Sequence, residues 1–236
     1  MNKIINNFSE KDITYALYGL FLGDGSYKSG KLYISHTDKQ KFYSEWLYKI
    51  FKDYGLEVKY YSRENKNTTF GAYMYHYTTI TVPKRFYFES QEKCFIDNKK
   101  IISDYVLNNI NSLGLLLWYL DDGNFHVSTS KNRNSTKRFG NLNTQCFTYE
   151  ENVKIQKMFF DRFGIQVKIH TDTSGFDKNK KYYKIYFSAT AFRQFFDLVR
   201  EYLAYIPKEF YYKFNMKYTP NQLKNSIEFS EKYNLI

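Results

Sequence analysis

The chain is 236 residues long, which fits one large domain or two small ones fused closely. A hydrophobic share of 43% supplies a core and excludes wholesale disorder. The 35 Lys and Arg against 24 Asp and Glu leave a formal charge of +11, which points to a polyanionic partner, because neutralised phosphates release counterions and drive binding.

In chain order, an apolar helical stretch at Leu17–Leu22 ends in Gly23, Asp24 and Gly25. An alternating segment follows, with Leu32 and Ile34 on one face and Lys31, Tyr33 and Ser35 on the other. Residues 42–60 read as an amphipathic helix closed by Gly55, where a helix exit wants a left-handed residue. The strand beyond alternates Leu56, Val58 and Tyr60 with Glu57, Lys59, Tyr61 and Arg63. A third helix is expected at about 84–97, from aromatics at helical spacing. The same order then recurs. Leu115–Leu120 ends in Asp121, Asp122 and Gly123, and a helix near 153–163 is closed by Gly164. Ile165, Val167 and Ile169 alternate with Lys168 and His170, and Ile185 and Phe187 alternate with Lys184 and Tyr186. A final helix is expected at about 189–203.

The expected fold class is therefore α+β, with two αββαββα halves at 1–97 and 112–214. Residues 98–111 link them, and 215–236 form a charged, partly helical extension. Each sheet has one face for the helices and one dominated by cations and hydrogen-bond donors. A polar sheet face is ordinary by itself. One so poor in Asp and Glu suits a duplex groove.

The two acid-terminated stretches, Leu17–Gly25 and Leu115–Gly123, lie 98 positions apart. Packed in parallel, such helices bring their C-terminal ends and acids together. Gly19 and Gly23, four apart on one face, permit close approach. Leu117 stands where the first copy has Gly19, which puts the helix spacing in question. Carboxylates held together repel unless cations lie between them, which suits Mg²⁺. Asp121 and Asp122 differ by about 100° in direction on a helix, so only one is expected to face its counterpart.

Only Cys94 and Cys146 are present, which excludes a disulfide framework and zinc-ligand spacing. His36, His76, His126 and His170 are scattered without ligand spacing. His36 and His76 share the parity of apolar neighbours, His126 and His170 that of the polar face, and none reads as catalytic. Met1–Asn7 lacks the apolar core of a secretion signal, and Leu113–Leu120 is too short to span a bilayer. A soluble intracellular protein with no membrane partner is expected. A mitochondrial setting and a bacterial or phage cytoplasm are equally compatible with it.

The paired stretches resemble the signature motifs of LAGLIDADG homing endonucleases in their monomeric, two-motif, intron-encoded form. The resemblance runs from about 12 to 213 and includes Leu142–Thr148, Ile206-Pro207 and Tyr212-Lys213. It implies a site-specific double-strand DNA endonuclease with a long, non-palindromic target, cutting across the minor groove to leave short 3′ overhangs. It assigns metal binding to Asp24 and Asp122, with Gly23 and Asp121 offering backbone carbonyls, and Mg²⁺ as cofactor with Mn²⁺ as substitute. It places basic catalytic residues at Lys100 and Lys213, with Lys99 and Lys208 as adjacent alternatives. Gln145 matches a strand glutamine that orients water, and Ser35 takes the equivalent place in the first half. Expected DNA contacts are Lys28, Lys31, Tyr33, Ser35, Lys59, Tyr61, Arg63, Tyr75 and Tyr77. In the second half they are His126, Ser128, Arg133, Arg138, Asn141, Asn143, Gln145, Lys168, His170, Lys184 and Tyr186. The alternative reading is an RNA maturase acting on its host intron, or a non-cleaving DNA-binding regulator of the same fold.

Overall fold

A computed structural model describes residues 9–65, 73–83, 93–97, 99–130, 135–172, 181–203 and 205–215. Helix α1 spans Glu10–Leu22 and opens with a capping box in which Ser9 and Asp12 satisfy each other's backbone N–H groups. Strands β1 (Ser26–Lys28), β2 (Lys31–Thr37), β3 (Val58–Asn65) and β4 (Tyr73–Thr81) form an antiparallel sheet in the order β1-β2-β4-β3. Helix α2 (Lys41–Asp53) joins β2 to β3 and buries Tyr43, Leu47, Ile50 and Phe51.

Residues 84–92 of the expected third helix lie outside the described residues. Its last five, 93–97, are not helical. They make a turn and strand β5 (Phe95–Ile96), paired with β6 (Lys99–Lys100). Packing overrides the periodicity there: Cys94 is fully buried, the Phe95 ring meets that of Phe21 at 5.0 Å, and Asp97 turns the chain at φ 49°. The segment expected as a linker also contains helix α3 (Asp104–Asn109), capped by Ser103, with Val106 and Leu107 buried.

Helix α4 (Ser112–Asp122) repeats α1, and β7 (Gly123–Ser130), β8 (Ser135–Leu142), β9 (Lys168–Asp172) and β10 (Tyr182–Phe187) repeat the sheet. The order β7-β8-β10-β9 is that of the first sheet. Helix α5 (Tyr149–Phe163) ends at Gly164, left-handed at φ 66°, as Gly55 is at φ 101°. Helix α6 (Ala189–Leu203) buries Phe192, Phe195, Phe196 and Val199. A short helix α7 covers Tyr212–Asn215, and residues 216–236 lie outside the described residues. The α+β class and the αββαββα order of the second half match expectation, while in the first half the order matches as far as β4. No helix among the described residues is long and apolar enough to cross a membrane.

α1 and α4 run side by side in the same direction. At their starts the Asn111 side chain caps Gly114 N–H of α4 and donates to the Asp12 carbonyl of α1, 2.7 Å away. At their ends the Asp24 N–H donates to Asp121 Oδ2 at 3.0 Å. Between these ties the backbones touch. A Cβ on Gly19 would lie 1.8 Å from the Gly114 carbonyl oxygen, and one on Gly23 2.2 Å from Asp121 Oδ2. Gly19 thus meets Gly114, so the close approach is made by Gly114 and not at the Leu117 position, whose side chain is fully buried. Trp118, Tyr18, Tyr119 and Phe21 surround the pair with little or no exposure, so the helix positions are fixed by close packing.

Candidate functional site

The abutting helix ends gather Asp24, Asp121 and Asp122. Sequence reasoning expected the Asp122 side chain to face Asp24 and Asp121 to offer only its carbonyl; that is corrected, because it is the Asp121 side chain that meets the end of α1. Its Oδ2 accepts from Asp24 N–H and its Oδ1 from the buried Tyr43 hydroxyl at 2.7 Å. Asp122 Oδ2 accepts from Trp118 Nε1 at 3.2 Å. Burial and the charge of Asp24 push the Asp121 carboxyl well above its ordinary range, and the same two causes raise Asp122 to about 7. Asp24, with a half-exposed side chain, is held below its ordinary value chiefly by the neighbouring His36 ring. Three acids kept together with so little water call for added positive charge.

Two lysines supply part of it. Lys100 Nζ donates to the Gly23 and Gly25 carbonyls at 2.8 and 3.0 Å and lies 5.1 Å from the Phe21 ring centroid. Lys213, only 5% exposed, donates to the Leu120 and Asp121 carbonyls and lies 5.5 Å from the Phe210 ring centroid. Each therefore grips the negative end of one motif helix. Burial lowers the pKa of both, and the three acids oppose that shift. The near neighbours Lys99 and Lys208 are exposed. The Gly23 and Asp121 carbonyls, expected to face a metal, each accept from one of these lysines.

The two half-sites differ. The registers pair Tyr33 with Ser26, two residues past Asp24, and Asn141 with Asn124, two residues past Asp122. Tyr33 is thus equivalent to Asn141, and Ser35 to Asn143. Gln145 is not the equivalent of Ser35 and is not on a strand, because β8 ends at Leu142 and residues 145–146 form a turn. His36, three residues past Tyr33, corresponds to Thr144. His36 bonds Ser44 eight residues on through Nδ1, and Thr144 bonds Asn152 eight residues on.

His36, like Tyr43, is a residue beside the acids that sequence reasoning missed. Its apolar parity was read correctly, since it points inward and is 4% exposed. Inward on β2 means toward the end of α1, which puts Nε2 3.7 Å from Asp24 Oδ2. Ligand atoms of Asp24, His36 and Asp121 all lie within 4.8 Å of one another, a set able to hold a cation. The four histidines were expected to lie apart from any metal site for want of ligand spacing, and the fold instead brings His36 to these two acids. Oxygen donors with one nitrogen fit a divalent metal.

The opposite sheet faces carry the expected DNA contacts. In the first sheet the registers put Lys28, Lys31, Tyr33, Ser35, Lys59, Tyr61, Arg63, Tyr75 and Tyr77 all on one face, away from Leu32, Ile34 and Ile80. Thr79 and Thr81 share that face and escaped notice. The Tyr61 and Tyr77 rings stack at 5.0 Å. In the second sheet His126, Asn141, Lys168, His170, Lys184 and Tyr186 share a face with Asn124 and Phe139, both missed. Rings cross it in sequence: His126 on Phe139 at 5.1 Å, Phe139 on Tyr186 at 5.4 Å, Tyr186 on His170 at 4.1 Å. Arg138 does not belong to this group. It pairs with Val127, so it lies on the face of Gly140 and Phe125 that packs toward the helices. Arg133 lies outside the described residues, as does the Ser128 side chain.

Two parallel, acid-terminated helices, each leading into a four-stranded sheet of the same strand order, are the repeated unit of this fold. Residues 14–195 match the LAGLIDADG DNA endonuclease family, and the chain belongs to it. It is 30% identical over 167 residues to an uncharacterized protein of Methanocaldococcus jannaschii, a match covering 70% of this chain and 61% of that protein's length. It is 27% identical over 108 residues to the probable intron-encoded DNA endonuclease 3 of Mycosarcoma maydis, covering 46% of this chain and 68% of that one. Its fold matches that of the homing endonuclease I-WcaI bound to its DNA recognition sequence, with TM-score 0.65, 24% identity and coverage of 89% and 88% of the two chains.

Proposed function

We propose that this protein is a site-specific double-strand DNA endonuclease acting as a monomer on a long, non-palindromic duplex target. The observation that carries this reading is the meeting of Asp24, Asp121 and Asp122 with Lys100 and Lys213 at the abutting ends of α1 and α4. The single-chain halves, 1–97 and 112–214, share a lysine at the equivalent groove-facing positions Lys59 and Lys168 but differ at Tyr33 against Asn141 and Tyr61 against His170, and unequal halves read unequal half-sites.

Asp24 and Asp122 hold divalent ions, Mg²⁺ by preference with Mn²⁺ as substitute. When bound, such an ion lowers the pKa of the attacking water and stabilises the leaving 3′ oxygen. Asp121 orients Asp24 by accepting its backbone N–H, and Tyr43 holds Asp121 in place. Lys100 and Lys213 keep ammonium groups beside the scissile phosphates and offset charge that builds there. Gln145, in the turn after β8, orients water in the second half-site. The sheet faces bind the duplex, with Lys59, Arg63, Lys168 and Lys184 on phosphates and Tyr33, Asn141 and Tyr186 nearer base edges.

The test is cleavage of a randomised duplex library with Mg²⁺, comparing wild type with Asp24→Asn and Asp122→Asn. Sequence-specific double-strand cuts, lost in both variants, are expected. Retained binding to one DNA or intron RNA without cutting would overturn the nuclease reading in favour of a maturase or regulator.

A further inference from the structure

We propose that His36 is a metal ligand, so that the Asp24 half-site is a mixed nitrogen–oxygen centre for a transition-metal ion such as Mn²⁺, while the Asp122 half-site is not. The inference deepens the endonuclease reading and rests on it for the role of Asp24.

The Nδ1 side of the ring is committed. Ser44 Oγ donates to the His76 carbonyl at 3.2 Å, so its hydroxyl proton is spent and it accepts from His36 Nδ1–H at 3.0 Å. That bond fixes the ring, and Tyr43 lies against it with centroids 4.9 Å apart. Nε2 is then the atom left facing the carboxylates. It is buried and has no hydrogen-bond partner, although Asp24 Oδ2 stands 3.7 Å away and Asp121 completes the group within 4.8 Å. A buried nitrogen aimed at two carboxylates, yet beyond hydrogen-bond reach of the nearer one, leaves room for an ion. Metal–nitrogen and metal–oxygen bonds of about 2.0–2.2 Å set donors about 3 to 3.6 Å apart, close to the 3.7 Å between His36 Nε2 and Asp24 Oδ2. The Ser44 contact is the outer-shell bond that ligating histidines ordinarily make, fixing the tautomer.

The second half has the Asp122 carboxylate but no imidazole in the equivalent place. Thr144 stands in the place of His36 and spends its hydroxyl on Asn152. Imidazole raises affinity for later divalent metals over Mg²⁺, so the two half-sites differ in metal preference.

The experiment uses the metal-free full chain without DNA, so its outcome does not depend on cleavage. Mn²⁺ is added and pulsed electron paramagnetic resonance is read for ¹⁴N modulation. Wild type should show directly bound nitrogen. His36→Gln should lose it, with Mn²⁺ affinity down about tenfold and Mg²⁺ affinity within about twofold. Absence of nitrogen modulation in folded wild type would overturn the proposal without any variant, leaving His36 as a charge partner of Asp24 only. Persistence of the modulation in folded His36→Gln would overturn it too, since the nitrogen would then be another residue's. If the wild-type signal is present but no DNA is cut with Mg²⁺, the endonuclease reading falls and the metal site stands.

Discussion

Gly19 and Gly114 cross with their backbones in contact, so that a Cβ on Gly19 would sit 1.8 Å from the Gly114 carbonyl oxygen. Backbone cannot swing aside as a flexible side chain would. Gly19→Ala should therefore force α1 and α4 apart and cost about 3 kcal/mol. Gly55→Ala serves as a contrast. It meets nothing within 4 Å but has φ 101°, so backbone strain alone should cost about 1 kcal/mol. Urea unfolding of both variants checks the order, and equal losses would contradict the crossing.

Tyr43 is fully buried and donates to Asp121 Oδ1, whose other oxygen anchors the Asp24 backbone. Tyr43→Phe should cost about 1–3 kcal/mol, because it strips a donor from a buried carboxyl. It should also slow cleavage by loosening Asp24. A double-mutant cycle with Asp121→Asn should show coupling; additive losses would mean that the contact is energetically idle.

The acid cluster makes stability and metal binding pH-dependent. Asp122 rises from an ordinary value near 3.8 to about 7, and Asp121 rises with it, so the folded metal-free protein retains protons that the unfolded chain releases. The stability that Asp122 contributes is complete below about pH 4 and is lost as pH climbs through about 7, and Asp121 acts in the same sense. Asp24 is shifted down and acts in the opposite sense, its contribution disappearing only as pH falls below the ordinary carboxylate range. A divalent ion needs ionised carboxylates, so its stabilising effect should be weak at about pH 5 and strong at about pH 8. Thermal melts with and without Mg²⁺ at both values read this directly. Equal Mg²⁺ shifts at the two would contradict it.

Lys100 and Lys213 grip the ends of the two motif helices beside the acids. Lys100→Met and Lys213→Met should each slow single-turnover cleavage about 10²- to 10³-fold, as loss of a preorganised charge does. Lys99→Met and Lys208→Met, at exposed neighbours, should stay within about twofold of wild type by the same reasoning.

Register separates groove residues from the rest. Lys59→Ala and Lys184→Ala should weaken duplex binding and reduce the salt slope by about one each. Arg138→Ala, on the face opposite to Lys184, should leave the slope unchanged. A drop equal to that of Lys184→Ala would mean that DNA also reaches the opposite face of the β7–β8 hairpin.

Local chemistry carried much of this protein into view. Alternation along Lys31–Ser35 and Val58–Arg63 fixed which side chains face together, and the left-handed turns at Gly55 and Gly164 marked the helix exits. The repeated acid-ended helices pointed to Asp24 and Asp122 before any fold was known. These features are legible because strand parity, helix period and glycine conformations are properties of neighbouring residues. The expected helix reaching 97 failed because burial of Cys94 and Phe95 outweighed helical spacing.

What the amino-acid order alone determined, then, was the class of fold, the two motif acids and the polar sheet faces. Only the tertiary structure decided that Gly114 receives Gly19, that Asp121 links Asp24 to Tyr43, and that His36 turns its free nitrogen to Asp24. Those relationships join residues from different elements, many of them far apart in the chain. They follow from how closely packed helices and sheets meet, which no local pattern encodes.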